Sequence, residues 1–312
     1  MPPNDPPSND TSEDTNSRLK KSKRYRMVAL DLDGTLLSST GTVADVQAEY
    51  LRGLSEKGFH VCIATGRSIA GTYVAAEKLQ IPRLPIVCSN GSRGFFWSRG
   101  SASDSPIMEE QFHFQVPKDI VQRALNLANK HGFCLQYYYK DSVCANQKSE
   151  IHYNCTQKYT DLTGVRIQHI DDDYKEMLEK NQLPSKLLLL FDSVDHRKAH
   201  DVTYGEFAPS EASIVRGNWT WFLEILNANS NKGVGLQHMC KKLNVPLEEV
   251  IAIGDGCNDI EFLQMAGLGV TVQNAEAEVK EIADINLEFT NDDHGPMRIL
   301  QELERKGELV FA

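Results

Sequence analysis

Four short runs of aliphatic and β-branched residues each break off abruptly into small polar residues, and that recurring pattern admits few folds. Met27-Val28-Ala29-Leu30 runs into Asp31, and residues 59–64 run into Thr65-Gly66-Arg67. Residues 84–88 run into Ser89-Asn90-Gly91, and residues 250–253 into Gly254-Asp255. A short apolar run bounded by turn formers reads as a strand buried on both faces, as in a parallel sheet. Helix-spaced apolar residues over 43–56 and 68–79 follow the first two runs, which predicts the β-α-β rhythm of an α/β, doubly wound parallel sheet. In such sheets ligands bind in the crevice outside the carboxyl edge. The four polar strand ends are therefore expected to meet in one place.

Between Gly91 and about Gly217 the rhythm changes. Strands are expected at 94–97, 133–139, 186–191 and 212–216, with helices at 117–130 and 172–180. This reads as an α+β insertion within a Rossmann-like core. The core would comprise residues 24–91 and 218–312, with helices at 231–242 and 295–306, and residues 92–217 would form a cap over the site. Residues 1–23 are rich in Pro, Asn, Asp and Ser and poor in large apolar residues, the composition of a disordered tail.

Composition removes several function classes. The formal charge is −10 with no basic block, so the electrostatic footprint of a nucleic-acid binder is missing. No apolar run approaches the roughly 20 residues needed to cross a bilayer, and neither a signal-peptide core nor a transit pattern is present. Seven cysteines, odd in number and without a CxxC pair, point to a reducing compartment, the cytoplasm. No nucleic-acid, membrane or protein partner is expected.

Asp31-Leu32-Asp33-Gly34-Thr35 places two carboxylates at a strand end. Alone it could be a tight turn, since Asp and Gly favour turns. A second acidic strand end, Gly254-Asp255-Gly256-Cys257-Asn258-Asp259, changes the balance, although it too could be a Gly-rich turn with a helix cap at Asn258 or Asp259. Two carboxylates at 4 Å repel by about 4 kcal/mol at an effective dielectric of 20, so a shared edge calls for a cation. An all-oxygen donor set suits Mg2+ better than zinc, and none of the nine histidines has metal-ligand spacing. His60 and His238 read as structural or exposed. Lys232 opens a predicted helix between the acidic strand ends and could bind phosphate and balance the aspartates, where position alone would make it a solvated lysine. Thr65-Gly66-Arg67 offers a hydroxyl and backbone N–H groups at a helix start, a favourable anion site; Arg67 could instead support the core or face the cap. Cys257 has no nearby histidine in sequence and reads as a packing or spacer residue. Tyr137, Tyr138, Tyr139, Trp219 and Trp221 read as cap packing rather than a ligand platform.

Taken together and in order, the segment 31–35, Ala64-Thr65-Gly66-Arg67, Ser89-Asn90-Gly91, Asn231-Lys232-Gly233 and the segment 254–259 resemble the haloacid dehalogenase superfamily. The likeness is greatest to its Cof-type phosphatases, which carry a large α/β cap between the second and third motifs. It extends from about Arg26 nearly to the C-terminus, resting in the cap on length and rhythm alone. The resemblance implies a Mg2+-dependent phosphomonoester hydrolase acting on a small organic phosphate, such as a sugar phosphate or phosphorylated cofactor, through an aspartyl-phosphate. It makes Asp31 the nucleophile and a metal ligand, and Asp33 the general acid/base, ligating metal through its backbone carbonyl. Asp255 becomes the other carboxylate ligand. Asp259 and Asn258 would orient metal-bound water and phosphoryl oxygens, while Thr65, Gly66 and Lys232 hold the phosphate. Cys257, Phe262-Leu263 and Pro296 depart from the family pattern, which bears on subfamily and substrate rather than chemistry. A sugar phosphomutase with the same core, or a binding protein that kept the fold without the activity, are the alternatives.

Overall fold

The computed structural model of the protein describes residues 24–100, 106–172, 174–192, 196–216 and 221–312. The expected tail at 1–23, Trp219 and the expected core boundary at 217–218 lie outside the described residues. Two sheets organise the rest. The first has eight strands: β1 (Met27–Leu30), β2 (His60–Ala64), β3 (Leu84–Cys88), β4 (Arg93–Ser98), β5 (Ile107–His113), and, after the insertion, β12 (Val250–Gly254), β13 (Leu268–Thr271) and β14 (Ile285–Asn286). Their order is β14-β13-β12-β1-β2-β3-β4-β5. The strands from β14 to β3 are parallel, and β4 and β5 are added antiparallel.

Alternation along the strands explains the helices on both faces. Val28 and Leu30 point into one core with Leu51 and Leu54 of α1 (Asp45–Glu56), Leu79 of α2 (Tyr73–Leu79) and Leu300 and Leu303 of α10 (Gly295–Arg305). Met27 and Ala29 point the other way. They meet Leu236 and Met239 of α7 (Lys232–Leu243), Phe262 of α8 (Ile260–Met265) and Val279 of α9 (Ala277–Ile282). Apolar demand on both faces is why these strands read as unbroken apolar runs rather than alternating ones.

The second sheet is the cap, with strands β6 (Cys134–Tyr139), β7 (Ser142–Ala145), β8 (Ile167–His169), β9 (Lys186–Leu190), β10 (Ala212–Val215) and β11 (Phe222–Asn227) in the order β10-β11-β9-β6-β7-β8. Leu135, Leu187 and Leu223 pack with residues of α3 (Lys118–His131), α5 (Lys175–Glu179) and α6 (His196–Glu206). Tyr138, Leu188 and Phe222 face the other side and pack with Tyr159 of α4 (Glu150–Thr163). Tyr137 stacks on Tyr174, and Tyr138 and Trp221 are buried, so these aromatics pack the cap as expected.

Sheet membership departs from the expected division in two places. Residues 93–113, placed in the insertion by sequence, extend the core sheet, because Trp97 pairs with Leu84 and is buried in the core of the first sheet. Residues 222–227, placed in the core, belong to the cap sheet, because β11 is held between β9 and β10. Alternating apolar runs specify a strand but not which sheet edge will receive it.

Candidate active site

The register of the core sheet brings the two acidic segments together. Met27 lies opposite both Val250 and His60, so β1 and β12 end level. Asp31 follows β1, its N–H donating to the Ile253 carbonyl at 2.9 Å, and Asp255 follows β12. Asp259 ends a single turn (Cys257–Asp259) that leads into α8. Oxygens of Asp31, Asp255 and Asp259 all lie within 4.8 Å of one another, and all three residues are buried.

Lys232, the first residue of α7 and 1% exposed, reaches into this cluster. Its ammonium donates to Asp31 Oδ1 at 2.6 Å and to Asp259 Oδ1 at 2.7 Å. Asp259 Oδ2 accepts the N–H groups of Asp255 and Gly256, both at 3.0 Å, so this residue ties the turn together while it faces the cluster. The Thr35 hydroxyl donates to Asp255 Oδ1 at 2.7 Å. Three buried carboxylates thus share one ammonium. Burial, followed by repulsion from Asp259, pushes the Asp255 carboxyl up to about 7. Asp31 is raised as well, first by burial; Lys232 opposes the rise, and Asp259, Asp255 and Asp33 add to it. Burial alone would lower Lys232, but Asp259 and Asp31 hold its ammonium charged and raise it.

The donor set fits a hard divalent cation. Among the described residues no hydrogen bond reaches Asp31 Oδ2 or Asp255 Oδ2, so each retains an oxygen for a metal, and the neighbouring donors are all oxygen. The negative charge that Lys232 leaves uncompensated is the charge such an ion would balance. Gly34 allows the close approach this requires: it has φ +76, and a Cβ there would lie 2.3 Å from Asp255 Oδ2.

The expected phosphate-holding residues line the same edge. Thr65 is fully buried just after β2, and its hydroxyl oxygen accepts the Arg67 N–H at 3.2 Å. Gly66 and Asn258 line a cavity of ≈480 Å³ between core and cap, with Asp31, Asp33 and Asp255. Ser89, Asn90 and Gly91 after β3 all have positive φ (51, 49 and 87) and are buried. The left-handed conformation costs a non-glycine residue about 1–2 kcal/mol, so this turn is held by its surroundings. Gly91 is obligatory, since a Cβ there would lie 1.9 Å from the Asn231 carbonyl oxygen.

Asp33 stands beside the acidic cluster rather than inside it. Its side chain is 57% exposed, and Arg67 grips both oxygens, Nε to Oδ2 at 2.8 Å and Nη2 to Oδ1 at 2.6 Å. Arg67 also donates to the Gly71 carbonyl, so it braces the wall of the cavity. Cys257 is no nucleophile: its thiol donates to Glu276 Oε2 at 2.8 Å, and burial followed by that carboxylate pushes it up to about 11. His238 packs against the rings of Phe112 and Phe114.

Sequence reading missed the cap side of the cavity, formed by Tyr159 and Leu162 of α4, Val215, Phe222 and Glu224. Glu224 pairs with Lys186 at 2.7 Å, and both are buried. Their signal was present: each is a charged residue in an otherwise apolar strand, KLLLL and FLEILN. A buried charge of that kind is rare without a partner or a task.

Comparison with known proteins agrees with this architecture. A family model of haloacid dehalogenase-like hydrolases matches residues 28–300. The chain is 28% identical over 290 residues to the 5-amino-6-(5-phospho-D-ribitylamino)uracil phosphatase YitU of Bacillus subtilis, covering 88% of this chain and 96% of that protein. It is also 28% identical over 260 residues to YcsE of the same organism, a phosphatase of the same name, covering 83% and 88% respectively. Among solved structures it resembles a haloacid dehalogenase-like hydrolase from Bacteroides thetaiotaomicron, with a TM-score of 0.73 and 23% identity over 90% of this chain and all of the other.

Proposed function

The chain belongs to the haloacid dehalogenase-like hydrolases, and on that premise we propose that it hydrolyses a small organic phosphomonoester through an aspartyl-phosphate on Asp31. The observation that carries the reading is the placement of Asp31 at the floor of the cavity, with Oδ1 on Lys232 and Oδ2 without a hydrogen-bond partner among the described residues. Mg2+ would be held by Asp31, Asp255 and the main-chain carbonyl of Asp33, beside Asp259, whose two oxygens are already taken by Lys232 and by the Asp255 and Gly256 N–H groups, and when bound it supplies charge neutralisation for the phosphoryl oxygens.

In the first step an oxygen of Asp31 attacks phosphorus and the bond to the ester oxygen breaks, with Asp33 giving that oxygen a proton. Arg67 occupies both oxygens of Asp33, so one must be released as substrate fills the cavity. In the second step Asp33 takes a proton from water, which attacks phosphorus and frees Asp31. Lys232, Thr65, Gly66 and Asn258 hold the phosphoryl oxygens throughout, and positioning with charge balance supplies most of the rate. The unit from β6 to β11 acts as the cap that selects the leaving group and excludes water. Because two relatives bear the name of 5-amino-6-(5-phospho-D-ribitylamino)uracil phosphatases, that ester belongs in a substrate panel beside sugar phosphates and other phosphorylated cofactors. The free thiols of all seven cysteines support a cytosolic setting, and among the described residues no helix is long and apolar enough to cross a membrane.

Two displacements at phosphorus give net retention of configuration. Turnover of an isotopically chiral phosphomonoester should therefore proceed with retention, and Asp33→Asn should accumulate phosphorylated protein in rapid-quench intact-mass spectra with an aryl phosphate. Net inversion would remove the covalent step and leave the hydrolase standing.

A further inference from the structure

A buried polar network joins the cap to three loops of the core, and the chemistry above leaves part of it without a task. Lys186 on β9 and Glu224 on the adjacent β11 form its centre, with Lys186 only 1% exposed. Lys186 Nζ donates to Glu224 Oε1 at 2.7 Å and reaches across to the Gly66 carbonyl of the core at 2.9 Å. The other Glu224 oxygen, Oε2, accepts from Asn90 Nδ2 at 2.7 Å. Asn90 Oδ1 in turn accepts from Asn258 Nδ2 at 2.9 Å. One ion pair of the cap thereby touches the loops after β2 and β3 directly, and the loop after β12 through Asn90.

Stability is a poor reason for such a pair. Removing two charges from water offsets most of their attraction, and apolar or neutral replacements often serve as well. The local peptide geometry gives a better reason. The carbonyl and amide of one peptide unit point in opposite directions. The Thr65 carbonyl is held by the Asn90 N–H at 3.1 Å and the Gly66 carbonyl by Lys186. These two anchors set the directions of the Gly66 and Arg67 N–H groups. The Arg67 N–H goes to the Thr65 hydroxyl. No acceptor among the described residues takes the Gly66 N–H, and Gly66 lines the cavity.

We propose that Lys186 and Glu224 are positioning residues, through which the docked cap sets the Gly66 peptide and the Asn90–Asn258 pair in the orientation that receives the transferring phosphoryl group. The proposal rests on the phosphatase reading above. Lys186 does not line the cavity, and both oxygens of Glu224 are already taken, by Lys186 and Asn90. Recognition of the leaving group in the cap is thereby coupled to alignment of the phosphoryl group in the core, since loops left loose by an undocked cap would forfeit the orientation on which the rate depends.

Two variants of the full chain, assayed with Mg2+ and 4-nitrophenyl phosphate, separate positioning from support. Glu224→Gln keeps an acceptor for Lys186 and keeps Lys186 on Gly66, but its NH2 then faces Asn90 Nδ2, donor to donor, and the buried ammonium loses its counter-charge. Lys186→Met combined with Glu224→Gln strands no charge but leaves the Gly66 carbonyl without its donor. The double variant should melt at a higher temperature than Glu224→Gln yet have a kcat lower by about tenfold, with KM changed by less than about threefold. Inhibition by orthovanadate, which adopts the five-coordinate shape of the transition state, should weaken by the same factor as kcat/KM. A double variant that regains kcat together with its melting temperature, or that melts below Glu224→Gln, would overturn the assignment. The wild-type rate on the same ester tests the phosphatase reading separately.

Discussion

The floor and the roof of the cavity are built on opposite plans. On the floor, Asp31, Asp255, Asp259 and Lys232 come from strand ends and a helix start of the core, all buried and all ionisable. On the roof, Tyr159, Leu162, Val215 and Phe222 offer mainly apolar surface, with Glu224 already committed to Lys186 and Asn90. Under the proposed function the floor would take the phosphoryl group with its cation, and the roof the organic part of the ester. A hydrophobic pocket discriminates by only about 1–3 kcal/mol per methylene, so under the proposed function a roof of this kind would select by shape and leave the chemistry to the floor.

The sharpest way to break this contrast is at Asp31. Asp31→Asn removes the proposed nucleophile and a proposed charged ligand together, and hydrolysis of any ester in the panel should fall below about one thousandth of wild type. Metal-dependent turnover above that level would move the chemistry away from the floor. Lys232→Met should come next, with kcat lowered by about 10²–10³ because a preorganised charge is lost. It should also melt earlier than wild type, since two buried carboxylates, Asp31 and Asp259, lose their counter-ion; added Mg2+ should return part of that melting temperature by binding the native state. A Lys232→Met protein that melts like wild type in a chelator would show that the cluster is not strained by its own charge.

Changes in the roof should behave differently. Phe222→Ala opens the wall against which Tyr159 packs edge-to-face, with ring centroids 5.8 Å apart. It should alter kcat/KM by about tenfold for bulky esters and much less for small ones, read across the panel. Equal losses for every ester would place Phe222 in the alignment of the phosphoryl group instead. The smallest effect is expected at Cys257, which lies outside the cavity lining with its thiol on Glu276. Cys257→Ser preserves a donor for Glu276 and should change kcat by less than about twofold and stability by less than about 0.5 kcal/mol. A large loss of activity would make the thiol a participant.

The floor was legible because its signals are local. An apolar run that ends in Asp31, and another that ends in Asp255, state both the strand and the edge at which the acid will appear. Parallel pairing then carries the two together although they are far apart in the chain. The roof was not legible for the opposite reason. Helix α4, which supplies Tyr159, has only His152, Thr156 and Tyr159 buried, too weak an apolar stripe to announce itself. Strand β11 falls within the expected core bounds of 218–312, whereas its neighbours β9 and β10 lie before them in sequence.

The sequence by itself determined the doubly wound core, the order of its strand-end motifs and the identity of the acids at its carboxyl edge, because strand period and strand termination are written in adjacent residues. Only the tertiary structure decided which charges meet. Arg67 grips Asp33 across 34 positions, and Lys186 meets Glu224 across 38 and Gly66 across 120. Those pairings depend on which sheet receives a strand and how the cap sits on the core. Both are settled by long-range burial of apolar faces, for which no short stretch of sequence carries a signal.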